Sequence, residues 1–95
     1  MIKINKLAEF VSWLESLTIK EQTKVESRLE RIEKHGHFGD AKGIDDGLAE
    51  LRWKNGWRVY FIKENISTIL LLSGGHKNAQ KKDIKQARLL ARRYF

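Results

Sequence analysis

The chain has 95 residues, no cysteine, no proline and a formal net charge of +7. That length holds one hydrophobic core and so one domain, residues 1–95. Without cysteine there is no disulfide framework and no thiolate metal site, and no apolar run is long enough to cross a bilayer, so a cytoplasmic location without membrane contact is expected. Residues 1–51 hold 8 Lys/Arg against 10 Asp/Glu, whereas residues 52–95 hold 11 against 2. So basic a second half points to an anionic partner, nucleic acid or an acidic protein, rather than to a merely solvated surface.

Ile2 and Ile4 alternate with Lys3 and Asn5, which predicts a short strand over residues 1–5 that joins a later sheet. Asn5 is the expected N-cap of a helix over residues 6–16, with Leu7, Phe10, Val11, Leu14 and Leu17 as its apolar stripe. Thr18 followed by Glu21 has the form of a capping box. The second helix it predicts turns Val25, Leu29 and Ile32 inward and mixed charges outward, and His35-Gly36 ends it. Residues 35–47, with glycine at 36, 39, 43 and 47, read as a long loop. His35 and His37 lie there with only Asp40 close by; helix-end charge and loop hydrogen bonding account for them better than a metal does.

Residues 48–77 read as three antiparallel strands, the first two joined at Asn55-Gly56 and the last two around Glu64-Asn65. A strict two-residue loop at Asn55-Gly56 would pair Lys54 with Trp57 and Arg52 with Val59, mixing cations into the apolar face. One extra bulged residue brings Leu51, Trp53, Trp57, Val59 and Phe61 inward together, so the bulge is expected. Arg52, Lys54 and Arg58 then share the outer face, an arrangement that like charges tolerate when a phosphate-sized anion sits among them. The other reading is that one of the three pairs with Glu50 or Glu64. Ile69 to Leu72 is apolar on both faces, the mark of a strand covered from two sides.

Ser73-Gly74-Gly75-His76-Lys77 leads from the third strand into a last helix over residues 78–93, with Ile84, Ala87 and Ala91 facing inward. A glycine pair at a strand-to-helix junction lets backbone approach an anion. Lys81, Lys85, Arg88 and Arg92, spaced four, three and four, make a second basic row that reads equally as a contact for RNA or an acidic partner and as a solvated face.

Gly47-Leu-Ala-Glu-Leu-Arg52, Trp57-Arg-Val-Tyr-Phe61, Leu70-Leu-Leu-Ser-Gly-Gly-His-Lys77, Gln80 and Lys82-Asp-Ile84 resemble the addiction-module killer proteins. These belong to the RelE/ParE superfamily of type II toxin–antitoxin toxins, near its phage-derived, HigB-like branch. The resemblance covers nearly the whole chain. It implies an α+β fold, β-α-α-β-β-β-α, in which a small antiparallel-dominated sheet carries an N-terminal helical hairpin and a C-terminal helix. It also implies ribosome-dependent mRNA cleavage without metal or other cofactor, and a cognate antitoxin, of helix-turn-helix type in this branch. The alternatives are a ParE-like gyrase poison and a non-catalytic RNA-binding domain.

By that resemblance Arg58 and Lys77 are the matched basic site residues, and Arg52 and Lys54 fall where the family places its first-strand cations. His76 is the first candidate for the acid/base, since an ordinary imidazole titrates near neutrality, and Lys54 the second. Lys81, Lys82, Lys85 and Arg88 are the candidate flanking RNA contacts. The chain departs from the pattern at its short Asn55-Gly56-Trp57 turn, at His76, where near relatives tend to have Asp, and at Asp83, six residues after Lys77, where an aromatic or His is common.

Overall fold

The computed structural model describes residues 1–94. The elements are β1 (Lys3–Lys6), α1 (Ala8–Glu15), α2 (Ile19–His35), β2 (Ala41–Asp45), β3 (Leu48–Arg52), β4 (Trp57–Asn65), β5 (Thr68–His76), a 3₁₀ turn (Lys77–Ala79) and α3 (Gln80–Arg92). The strands form one sheet in the order β1-β5-β4-β3-β2, antiparallel except for the parallel pair β1–β5. This is the expected α+β architecture with one strand more than the sequence showed.

The added strand is β2, within residues that read as a loop. Its Ala-Lys-Gly-Ile-Asp sequence carries no alternating apolar signal and four of its five residues are exposed. Pairing with β3 makes it a strand, and the register shift between Gly43 and Asp45 bends this sheet edge. At the N-terminus the helix starts later than expected: Leu7 holds the N-cap position without a side-chain cap, while Asn5 stays in β1 and its amide donates to Glu64 Oε1 at 3.1 Å. The capping box at Thr18 is complete, with Glu21 N donating to Thr18 Oγ1 at 3.2 Å and Thr18 N to Glu21 Oε1 at 2.8 Å. Gly36 closes α2 at φ 67°, a left-handed C-cap.

Two apolar layers sandwich the sheet. On one face, Phe10, Leu14, Val25, Leu29 and Ile32 of the helical hairpin pack against Leu51, Trp57, Val59, Phe61, Ile69 and Leu71. On the other, Ala87 and Leu90 of α3 pack with Leu48, Tyr60, Ile62, Leu70 and Leu72. β5 is therefore covered from both sides, as its unbroken apolar run requires.

The β3–β4 hairpin has the expected extra residue. Leu51 pairs with Val59 and Arg52 with Arg58, Trp53 N donates to Trp57 O at 3.0 Å, and the turn consists of Lys54, Asn55 and Gly56. Gly56, at φ 106°, supplies the backbone conformation that other residues adopt only with strain. Even-numbered residues of β3 and β4 consequently share the α3 face.

Candidate nucleic-acid interface

Strand parity places Glu50 and Arg52 of β3 and Arg58 and Tyr60 of β4 together beneath the start of α3. Glu50 is the centre of the group, with 1% of its surface exposed. Its Oε2 lies 3.2 Å from Arg58 Nε and 3.9 Å from Arg52 Nε, and the Gln80 amide donates to both carboxylate oxygens at 2.9 and 3.0 Å. A carboxylate so deeply desolvated is stable only with several such partners.

This corrects the expectation of three unneutralised cations on an outer face. Glu50 pairs with two of them, not one, because β3 parity carries it to the same face and burial draws the opposite charges together. Arg58 is also interior rather than outward: its Nη1 donates to Trp57 O at 2.9 Å and its side chain is only 10% exposed. Arg52 is held more loosely, at 36% side-chain exposure. Two guanidiniums around one carboxylate leave one net positive charge, and Arg52 is where solvent meets it. Lys54 stands in the exposed turn.

The turn is fastened to the end of β5. Lys77 N donates to Gly56 O at 2.7 Å, which brings the Lys54 and Lys77 segments side by side. The His76 ring lies against Gly56, where an added Cβ would come within 2.4 Å of Nε2. His76 Nδ1 accepts from Asn78 N at 3.2 Å, so the ring proton sits on Nε2, which donates to Asn55 O at 3.1 Å. Both ring nitrogens are occupied by backbone, and in this arrangement His76 has none free to exchange a proton with a ligand. Arg28 braces the hairpin from the opposite face: its guanidinium donates to Phe38 O, Asp40 O and Arg52 O and stacks 4.4 Å from the Trp53 ring centre.

The second basic row lies on α3 with Lys81, Lys82 and Lys85 exposed. Arg88 is engaged, its Nε and Nη2 donating to Asp45 Oδ2 at 2.9 and 2.6 Å, which ties α3 to the edge strand. Tyr94 lies just beyond α3 and is exposed, its N–H donating to Ala91 O at 3.1 Å.

Several polar groups of this region were not singled out in the sequence. Tyr60 is fully buried and its hydroxyl has no hydrogen-bond partner among the described residues. Burial first, then the charges of Glu50 and Asp83, push its phenol well above the usual tyrosine range. Ser73, the cross-strand partner of Tyr60, has an equally unpartnered Oγ. Asp83 rests on Gly75, where a Cβ would fall 2.0 Å from its Oδ2, and burial raises its carboxyl above the ordinary aspartate range against the opposing pull of Lys82. Glu50 is legible in the sequence as a possible partner of one cation, and strand parity puts it and Tyr60 on the same face as Arg52 and Arg58. Asp83 stands out only as a departure from the family pattern, and Ser73 carries no signal, because their neighbours come from other elements.

The model of the phage-derived Gp49-like protein family (DUF891) matches residues 12–95. A Haemophilus influenzae protein, described only as uncharacterized, is 43% identical over 93 residues, covering 95% of this chain and 93% of its own. Among solved structures, the isolated RelE toxin of Escherichia coli superposes with a TM-score of 0.67 at 9% identity, over 90% of this chain and 98% of its own. The RelB–RelE complex of Methanococcus jannaschii gives a TM-score of 0.67 at 15% identity, covering 83% and 96%. The RelBE2 toxin–antitoxin complex of Mycobacterium tuberculosis gives 0.64 at 12%, covering 79% and 90%. At such identities the structural matches establish the fold, and the resemblance read from the sequence is borne out. The chain belongs to the phage-derived Gp49-like family and has the RelE fold.

Proposed function

We propose that this protein is the toxin of a type II toxin–antitoxin pair and acts as a ribosome-dependent mRNA endoribonuclease that needs no metal. The observation that carries the reading is the net positive charge left around Glu50, open to solvent at Arg52 and flanked by Lys54 and by the Lys77 segment. The fold is that of a RelE toxin, and two of the matched structures are complexes of such toxins with antitoxins. A cognate antitoxin, of helix-turn-helix type, is the proposed partner, and an acidic segment of it would complement the basic half.

The reaction is attack of a ribose 2′-oxygen on the adjacent phosphorus. The 2′-hydroxyl proton leaves to solvent water as O2′ bonds to phosphorus, the P–O5′ bond breaks, and a 2′,3′-cyclic phosphate and a 5′-hydroxyl remain. Arg52, with Arg58 behind it, stabilises the negative charge that grows on the phosphoryl oxygens. Glu50 and Gln80 hold both guanidiniums in place before substrate arrives, which lowers the reorganisation needed in the transition state. Lys77 binds the same phosphate, and Lys54, free in its turn, delivers a proton to the departing 5′-oxygen. His76, with both nitrogens engaged, sets the spacing of Lys54 and Lys77 rather than carrying the proton. Lys81, Lys82 and Lys85 hold flanking RNA phosphates.

The experiment is expression in growing cells with and without the neighbouring open reading frame, together with mapping of RNA 5′ ends in a translating extract. Growth arrest with discrete cuts on ribosome-bound messenger supports the reading. Inhibition of DNA supercoiling without cuts would replace it with a gyrase poison.

A further inference from the structure

β1 ends at Lys6, and Leu7 N donating to Leu71 O at 2.9 Å is the last tie on that side of β5. Beyond Leu71, β5 continues to His76 with β4 as its only strand neighbour among the described residues. α1 and α3 stand on either side of this open edge, leaving a cleft of about 500 Å³, within the range of small-ligand sites. Its floor is Ser73 and Gly74, and Glu9, Ser12, Asp83 and Gln86 line its walls.

The chemistry of this cleft is opposite in sign to the cationic centre beside it. It is lined by the Glu9 and Asp83 carboxylates, the Ser12 hydroxyl and the Gln86 amide, with the Ser73 hydroxyl buried beneath. Ser73 Oγ, buried in the floor of the cleft, lacks a partner among the described residues. Asp83 takes part in no ion pair among the described residues, and Glu9 has only Arg93 at 3.9 Å. Buried polar groups left unsatisfied call for an explanation, and a ligand rich in donors is one. The two glycines of β5 let its neighbours sit close: the Trp13 ring lies against Gly74 and the Asp83 carboxylate against Gly75, where added Cβ atoms would fall 2.2 and 2.0 Å from them.

We propose that the cleft between α1 and α3 is a nucleobase subsite that takes the amino-bearing edge of an unpaired RNA base next to the cleaved phosphate. The inference rests on the RNA-cleavage reading and adds to it a source of sequence preference. Gly75, on which Asp83 rests, is directly opposite Arg58 across β4–β5, so anion-binding and donor-binding surfaces are neighbours. A nucleotide matches both, with its phosphate on the cations and its amino group on the acceptors. A Lys or Arg side chain from a protein partner would match the cleft alone and be repelled by the adjacent guanidiniums. Carboxylates accept from exocyclic amines, as they do from cytosine N4, and unpaired RNA bases are read on such edges. Adenine, cytosine and guanine each carry an amino group. Uracil presents two carbonyls and one N–H, and is the base the cleft rejects.

Two measurements test the proposal. The first maps RNA 5′ ends produced in a translating extract by wild type, Asp83→Asn and Ser73→Ala. Wild type is expected to disfavour uracil about tenfold at one fixed position beside the cut, and Asp83→Asn to lose most of that preference. The second titrates isotope-labelled protein with cytidine and uridine 5′-monophosphates, with amide resonances of Ser73, Gly74 and Gln86 expected to move further with cytidine. Cuts that show no bias against uracil, or the same bias in both variants, overturn the subsite and leave the nuclease reading standing. Cleft resonances that respond to a lysine-rich peptide and to neither mononucleotide overturn it in favour of a protein partner. Absence of both cuts and nucleotide shifts overturns subsite and nuclease together.

Discussion

Arg58 Nε lies 3.2 Å from Glu50 Oε2 beneath the start of α3, so the most buried cation of the molecule is held by its most buried carboxylate. Removing the carboxylate leaves two guanidiniums facing each other with little water to screen them. Glu50→Ala is expected to cost about 3–5 kcal/mol of stability by denaturant titration. Inorganic phosphate should raise the melting temperature of Glu50→Gln more than that of wild type, because the anion then takes the place of the lost charge.

Arg52 differs from Arg58 because its side chain is partly open to solvent and its contact with Glu50 is long, at 3.9 Å. Arg52→Ala should change stability by less than about 1 kcal/mol. If Arg52 stabilises charge on the reacting phosphate, the same variant should cut RNA about 100-fold more slowly or worse. Stability and cleavage rate measured on one preparation separate the two effects.

Gly56 combines a φ of 106° with a His76 ring that an added Cβ would meet at 2.4 Å. Gly56→Ala should therefore destabilise the protein by at least about 2 kcal/mol. His76→Gln, which can replace one of the two hydrogen bonds, should retain more cleavage than His76→Ala and show the same pH profile as wild type. A pH profile that loses a limb in His76→Gln would return the proton-carrying role to this residue.

Asp83 is an acid whose carboxyl is raised by burial, so the folded protein binds its proton more tightly than the unfolded chain does. Its contribution is most favourable below the ordinary aspartate range and is lost as pH rises through the raised value. Asp83→Asn should accordingly raise the melting temperature near neutrality, at about pH 7, and do so less in acid, at about pH 3.

Lys81, Lys82 and Lys85 are exposed on α3, whereas Arg88 is bonded to Asp45. Replacing any one of the three lysines by Ala should lower the salt slope of single-strand RNA binding by roughly 0.7, the share of one phosphate contact. Arg88→Ala should change that slope less, since its charge is already compensated within the protein.

Features that depend on neighbours in sequence could be read from the chain directly. The Thr18–Glu21 capping box works through bonds three residues apart, and the Gly36 helix stop needs only its own φ. The hairpin bulge followed from parity, because a one-residue slip would have moved Arg52 opposite Val59 and put cations into the core. Covering of β5 from both sides followed from its apolar run.

What depended on distant partners was settled by the tertiary structure. β2 is polar and exposed, and becomes a strand because β3 offers it a backbone to pair with. Arg52 and Arg58 were legible as cations sharing a face, but their charge state as a group was not, since it is set by α3 closing over Glu50 and excluding water. His76 is an ordinary imidazole until Asn55 O and Asn78 N, from a turn and a helix start, take its two nitrogens. Asp83 and Ser73 became neighbours of a cleft only when β1 stopped short of the end of β5. Local chemistry wrote the elements; dielectric and long-range contact determined which charges the surface keeps.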